Sequence, residues 1–547
     1  MPPILNANRR HFLSPELNED GDDELMLIEA NNVKLYAKDR LLVDIDKLQI
    51  QENDRIGLVG KNGSGKTTLL EALAGKKLPE EGTISIFTTC ELIPQLKRRD
   101  TTKSGGEVTQ DYMIEAMEKN PEILLADEPT TNLDTSHIEW LEKKLVKWQG
   151  AFVLVSHDRA FLDALCTKIW EIDEGHLKEY KGNYSDYAEQ KELKKTQEKL
   201  AYEKYEKKKK QLEEALKLKT KKAERATKAP KKVSQSEAKI TGAKPYFAKK
   251  QKKLQQTAKA IETRLEKLEK VEKPKEATPI KMNVPNEETF KGRIVLRVKD
   301  VPGTIGDRIL WKPASFHIRG GDKLAIIGPN GSGKTTLLKK IVHQDDGISL
   351  SPSVKIGYFS QSLTIVDTKK TILDNVRSTS KQDETLIRTV LARLRFFRED
   401  VYKRVGVLSG GERVKVALAK LFVSDMNTLI LDEPTNFLDI EAVEALESLL
   451  KEYEGTVIFV SHDRRFIENI ATRILEIKHQ EIKLFEGNYK EYKHHKPQEK
   501  RNTKEDKRLI VETKISEVLS RLSIEPSPEL EEEFQKLLDE KRKLDDE

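Results

Sequence analysis

The sequence predicts an α/β protein: two tandem P-loop domains joined by a long α-helical hairpin linker, plus a small helical C-terminal extension. Three observations carry this. Glycine loops of the same form, Gly60 to Thr68 and Gly328 to Thr336, each follow a short apolar run and precede a helical pattern. The motifs after each loop recur in register, which marks a duplicated domain. Between the copies lies a lysine-dense run with almost no core-forming residues.

A chain of 547 residues has room for two or more domains with cores of their own. Its 35% charged and 37% hydrophobic residues suit such domains carrying long exposed helices. No run approaches the roughly 18 apolar residues of a membrane span. Met1 to Glu24 is mostly polar, without the form of a signal peptide. Cys90 and Cys166 make no metal spacing and read as buried thiols. A cytoplasmic protein is expected.

Residues 1–25 read as a flexible tail, and strands begin at Met26. Asp54 to Gly60 is a buried strand entering the loop Gly60-Lys61-Asn62-Gly63-Ser64-Gly65-Lys66-Thr67-Thr68. Its glycines let backbone N–H groups turn inward around phosphates, and the following helix offers its positive end. Lys66 adds a point charge, and the Thr67 hydroxyl suits Mg²⁺. Ile123 to Glu128 is an apolar strand ending in two carboxylates, with Asp127 suited to the Mg²⁺ shell and Glu128 to polarising water. His157 follows another apolar strand, where it could reach a terminal phosphate. Ser104-Gly105-Gly106 precedes a helix and makes a second anion cradle.

The second half repeats the set. Its loop contains Gly328, Asn330, Gly331, Ser332, Gly333, Lys334, Thr335 and Thr336; Ser409-Gly410-Gly411, Asp432, Glu433 and His462 follow. Serine to aspartate spans 23 positions in both halves, and aspartate to histidine 30.

Together these motifs resemble the ATPase cassette of the ABC superfamily, whose signature is the Ser-Gly-Gly segment. The resemblance implies ATP and Mg²⁺ as cofactors, Glu128, Glu433, His157 and His462 as catalytic, and Gln95 and Gln361 as further metal ligands. It implies D-loops at Asn132-Leu133-Asp134 and Asn436-Phe437-Leu438-Asp439, and an adenine stacked on Tyr36. In such a head-to-tail sandwich, site one pairs Lys66 and Glu128 with Ser409, Gly410 and Gly411. Site two pairs Lys334 and Glu433 with Ser104, Gly105 and Gly106. Three departures stand out. Gln95 to Ser104 spans 9 positions against 48 from Gln361 to Ser409, so the first cassette has lost most of a helical subdomain. Transporter ATPases use that region to grip membrane domains, so its loss argues against a transporter. No aromatic of the second cassette matches Tyr36, and the first signature has Lys103 and Val108 where the second has Leu408 and Arg413.

The linker run, residues 191–270, holds 27 Lys and Arg against 11 Asp and Glu, a net charge of +16 in a chain whose total is +6. Glu189 to Lys222 reads as one helix of about 50 Å, and Leu254, Ile261, Leu265 and Leu268 form the apolar stripe of a second. Pro230, Gly242 and Pro245 are expected to break the helix between them. Tyr246 and Phe247 among lysines suit RNA with accessible bases. The phrases Gly182-Asn183-Tyr184 and Gly487-Asn488-Tyr489 close the two cassettes. The expected domains are 26–187, 188–286, 287–495 and a helical extension, 496–547.

Two cassettes, these phrases and a charged linker resemble the ABC-F family of ribosome-associated ATPases. The Ser-Gly-Gly-Glu-Val signature and the phrase Gly242 to Ala248 are similar to its Vga-type antibiotic-resistance proteins. The resemblance implies a monomer with intramolecular pairing of its cassettes, bound at the tRNA exit site of the 70S ribosome. Its linker would approach 23S rRNA and P-site tRNA and dislodge lincosamides, streptogramin A compounds and pleuromutilins. No membrane partner is expected. The alternatives are a housekeeping translation factor of the same family and, from another class, the ATPase subunit of a drug exporter.

Overall fold

The computed structural model describes residues 25–95, 105–131, 133–225, 243–271, 291–360 and 365–494, with Val518, Glu531, Phe534, Gln535, Lys536 and Leu538. The expectations for the N-terminal tail, Ser104, Asn132, the linker tip from 226 to 242, Gln361 and most of the C-terminal extension lie outside the described residues.

The first cassette runs β1 (Met26–Ala37), β2 (Arg40–Gln51), β3 (Arg55–Gly60), α1 (Lys66–Leu73), β4 (Glu81–Ile86), β5 (Cys90–Ile93) and α2 (Gly105–Glu118). It continues with β6 (Ile123–Asp127), α3 (Thr135–Val146), β7 (Ala151–Val155), α4 (Arg159–Leu165), β8 (Lys168–Asp173) and β9 (His176–Lys181). One nine-stranded sheet results, in the order β4-β1-β2-β9-β8-β3-β7-β6-β5. Every residue of β6 and β7 is buried, as expected of apolar runs covered on both faces by helices.

The linker follows as α5 (Tyr184–Arg225) and α6 (Ala243–Glu266), which pack against each other. At 42 residues, α5 is about 63 Å long, and it starts inside the phrase that closes the first cassette. The first linker helix thus begins within the first cassette and leaves it without a break. Pro245 does not break α6 but sits in its first turn, where its missing N–H has no intrahelical partner to lose.

The second cassette runs β10 (Ile294–Ile305), β11 (Arg308–Arg319), β12 (Lys323–Ile327), α7 (Lys334–His343), β13 (Ile348–Leu350), β14 (Ile356–Phe359), α8 (Ile372–Arg377) and α9 (Glu384–Arg393). After two short 3-10 turns come α10 (Gly410–Val423), β15 (Thr428–Asp432), α11 (Ile440–Glu452), β16 (Thr456–Val460), α12 (Arg464–Ile470), β17 (Arg473–Lys478), β18 (Glu481–Phe485) and α13 (Tyr489–His494). A six-stranded sheet, β14-β15-β16-β12-β17-β18, forms its centre, and β11-β10-β13 stands apart. Only residues 94–104 separate β5 from α2, whereas α8, α9 and the 3-10 turns occupy the matching interval here.

The register of the two hairpins explains the missing aromatic. Tyr36 faces Leu41 in the first, and Thr304 faces Ile309 in the second. Trp311 instead lies fully buried under the second P-loop, donating its indole N–H to the Val301 carbonyl at 3.1 Å. It fits only because residue 303 is glycine: a Cβ there would stand 2.3 Å from the indole. Gly303→Ala should therefore cost about 1–3 kcal/mol through overpacking and lower the onset temperature of unfolding in calorimetry.

Candidate functional site

Each P-loop turns through left-handed glycines that a side chain would strain. Gly65 has φ +103° and Gly333 φ +99°, and a Cβ at Gly65 would meet Val43 at 2.8 Å. Each turn delivers a lysine to the first helical position. Lys66 Nζ donates to the carbonyls of Gly60 and Lys61 at 2.8 and 3.0 Å, and Lys334 to those of Gly328 and Pro329 at 2.9 and 3.1 Å. Burial lowers the pKa of both lysines, while Glu128 and Glu433 respectively oppose it.

The next residue meets the acidic strand end. Thr67 Oγ1 donates to Asp127 at 2.7 Å, and Thr335 Oγ1 to Asp432 at 3.1 Å. Glu128 and Glu433 follow with φ of 53° and 51°, a left-handed conformation that non-glycine residues adopt at a cost of about 1 kcal/mol or more. Each is held there by its own N–H, which donates to Val155 and Val460 respectively. Burial raises the pKa of both carboxyls, with the neighbouring lysines pulling the other way. His157 Nε2 stands 3.3 Å from Glu128, and His462 Nε2 stands 3.2 Å from Glu433. Burial, aided by the lysines, pushes both imidazoles down to about 3, so both are neutral near pH 7.

Four atoms here have the same unmet need in both halves. Ser64 Oγ, Ser332 Oγ, Glu128 Oε1 and Glu433 Oε1 are buried without a hydrogen-bond partner. A hydroxyl in each P-loop and a carboxylate oxygen at each strand end thus fit a polyanion with attendant water. Thr67 with Asp127, and Thr335 with Asp432, fit the hard cation that accompanies it. Gln95 is exposed two residues beyond β5, and Tyr36 is half-buried at the hairpin end, its N–H donating to Glu80 at 3.1 Å. Thr68 and Thr336 follow in the first turns of α1 and α7.

The two halves close on each other. Asn62 N–H donates to Asp439 at 3.2 Å, its amide donates to the Phe437 carbonyl at 3.0 Å, and its Oδ1 lies 3.2 Å from His157 Nε2. Gly411 completes this corner: a Cβ there would lie 3.4 Å from the Asn62 amide and 2.4 Å from the Phe437 carbonyl. Ser409 caps α10, its Oγ accepting from the Glu412 N–H, so Gly410 and Gly411 form the helix's positive end beside the opposite P-loop. In the other direction, Asn330 N–H donates to Asp134 at 2.8 Å. Burial works to raise the Asp134 pKa, but hydrogen bonds from Ser136, Asn330 and His137 hold it below the usual carboxylate range. Gly105 and Gly106 start α2. Gly411→Ala should push Phe437 off Asn62 and slow ATP turnover at least tenfold, as read by phosphate release.

Sequence reasoning missed two buried ion pairs that link the halves. Arg159 forms a buried pair with Glu447 and lies 3.6 Å from Asp463. Arg464 pairs with Glu142 and lies 3.8 Å from Asp158. The signal was there: Ser-His-Asp is followed by arginine in both halves.

Family models described as ABC transporter match residues 43–90 and 311–436, and a second model of that description matches 170–241. The chain is 32% identical to the ribosome protection protein VmlR of Bacillus subtilis, over 91% of this chain and 93% of that protein. It is 34% identical to the erythromycin resistance ATP-binding protein MsrA of Staphylococcus epidermidis, covering 84% and 99% respectively. The chain is an ABC-F ATPase. It hydrolyses ATP, as cassettes of this kind do. The ABC-F chain is related to resistance proteins and also to the ATP-binding protein Uup of Escherichia coli, at 30% identity over 85% and 81%. The fold resembles that of a solved RNase-L inhibitor, with a TM-score of 0.56 at 17% identity over 84% of this chain and 91% of that one. Among the described residues, no helix of this ABC-F protein is long and apolar enough to cross a membrane.

Proposed function

We propose that this ABC-F ATPase binds the 70S ribosome at the tRNA exit site and uses its linker to clear antibiotics from the peptidyl-transferase centre. The observation that carries the reading is the continuity of α5 with the first cassette, which ties a basic arm of about 63 Å to the closing of two composite sites. In each site the P-loop holds the phosphates: Gly60, Asn62, Gly63, Ser64, Gly65, Lys66 and Thr68 in one, and Gly328 through Thr336 in the other. The facing signature completes each cradle. Mg²⁺, held by Thr67 and Asp127 or by Thr335 and Asp432 together with Gln95 or Gln361, would neutralise phosphate charge. Glu128 and Glu433 accept a hydrogen bond from the attacking water, and His157 and His462, being neutral, donate one towards the terminal phosphate.

Closure aims the linker, whose lysines lie along rRNA phosphates and whose tip meets P-site tRNA and 23S rRNA. Hydrolysis reopens the sandwich and releases the ribosome. ATP acts as a timed clamp. The name ribosome protection protein, borne by a relative at 32% identity, favours drug clearance as the outcome. Expression in a susceptible host should raise the inhibitory concentration of lincomycin or tiamulin at least fourfold. Unchanged susceptibility with the protein present on ribosomes would favour the housekeeping reading, which the likeness to Uup proteins keeps open. Ribosome affinity should fall at least tenfold between 50 and 200 mM salt if the arm makes several phosphate contacts, and sedimentation at graded ionic strength reads this.

A further inference from the structure

The halves correspond residue by residue: Arg159 and Arg464, Glu142 and Glu447, Asp134 and Asp439, and Tyr184 and Tyr489 all differ in number by 305. Lys191 keeps the rule with Lys496, and the departures lie in residues of the second cassette that face the start of α5. Lys191, on α5, donates to Glu171 of β8 at 2.5 Å and to Tyr187 Oη at 3.0 Å, and reaches across to Glu441 of α11 at 3.5 Å. Glu441 also pairs at 3.0 Å with Arg395, which belongs to the helical region that the first cassette lacks. The counterpart of Glu441 in the first cassette is Ser136, whose hydroxyl turns back to donate to Asp134 at 2.6 Å. Arg465 departs in the same way. It donates to Ser185 at 2.6 Å, pairs with Asp163 at 2.9 Å and lies over the Tyr184 ring, where the counterpart residue is Ala160.

The contact between Lys191 and Glu441 adjoins the first nucleotide site. A cavity of about 300 Å³ is lined by Lys191, Glu441 and Arg395 together with Gly60, Lys61 and Asp439. Glu441 is two residues beyond Asp439, which accepts the N–H of Asn62 in the first P-loop. Separating that P-loop from Asp439 would carry Glu441 away from Lys191. Opening at the second P-loop breaks the Asn330 to Asp134 bond, on the side where Ser136 replaces Glu441.

We infer that Glu441 is a positioning residue through which the linker helix follows the closure of site one rather than of site two. The inference rests on the reading of Glu128 and Glu433 as hydrolytic groups, and it needs no ribosome to test.

The test is hydrogen–deuterium exchange of the full-length protein with Mg²⁺ and ATP, followed over residues 184–195. Glu128→Gln, which traps site one, should slow exchange in this segment about tenfold relative to nucleotide-free protein, the factor that one charge-assisted hydrogen bond supplies. Glu433→Gln should leave it within twofold. Adding Glu441→Gln or Lys191→Met to Glu128→Gln should abolish the slowing. ATP retention, read in the same samples by filter binding, reports separately on the glutamates. Equal slowing in both traps, or slowing that survives both Glu441→Gln and Lys191→Met, would overturn the inference.

Discussion

Replacing Glu128 and Glu433 together by Gln should reduce steady-state ATP hydrolysis by at least a thousandfold while leaving ATP binding within a few-fold of wild type. Both carboxyls sit at buried strand ends in left-handed backbone, each with one oxygen lacking a partner. Such strain and such an unmet acceptor are what a group aimed at an incoming water would show. Gln keeps the volume and the backbone geometry but replaces one acceptor oxygen by a donor. The phosphate cradle of Lys66, Lys334 and the P-loop amides is untouched, so affinity persists. Phosphate release and equilibrium binding of a fluorescent ATP analogue separate the two effects. A double variant that loses binding and turnover together would place these carboxylates in the cradle instead.

The second large effect should come from the buried pairs that join the halves. Arg159→Met leaves Glu447 and Asp463 without their guanidinium, and both side chains are nearly sealed from water. Breaking a buried pair from one side costs about 3–5 kcal/mol. The penalty falls only on the closed form, because opening returns those carboxylates to solvent. ATP-driven closure, followed by energy transfer between fluorophores on the two cassettes, should weaken by at least a hundredfold in apparent ATP affinity. Glu447→Gln should restore part of the loss when combined with Arg159→Met, since it removes one of the stranded charges. Arg464→Met should behave alike through Glu142 and Asp158.

The sequence made the cassettes legible because their determinants are local. A glycine at φ +103° can be anticipated from the loop that needs it, and a run of four apolar residues followed by Asp-Glu announces a covered strand. The head-to-tail pairing was legible through the family resemblance, and Asn62 with Asp439 and Asn330 with Asp134 supply its contacts. What stayed hidden depends on partners far apart in the chain. Arg159 and Glu447 are separated by 288 positions, and no periodicity connects them. Trp311 under the second P-loop was equally unreadable, since its place depends on the room left by Gly303 across the hairpin. Pro245 misled because a helix breaker in the interior is harmless in a first turn. The start of α5 at Tyr184 was obscured by a closing phrase that both ends one domain and begins the lever.

One sedimentation experiment bears most directly on the whole account. The Glu128→Gln, Glu433→Gln protein is layered with purified 70S ribosomes and pelleted through sucrose at moderate salt, with and without ATP. The account predicts near-stoichiometric recovery in the ribosomal pellet with ATP and little without it. Equal recovery in both tubes, or none in either from protein that still retains ATP, would contradict a lever aimed at the ribosome by nucleotide closure.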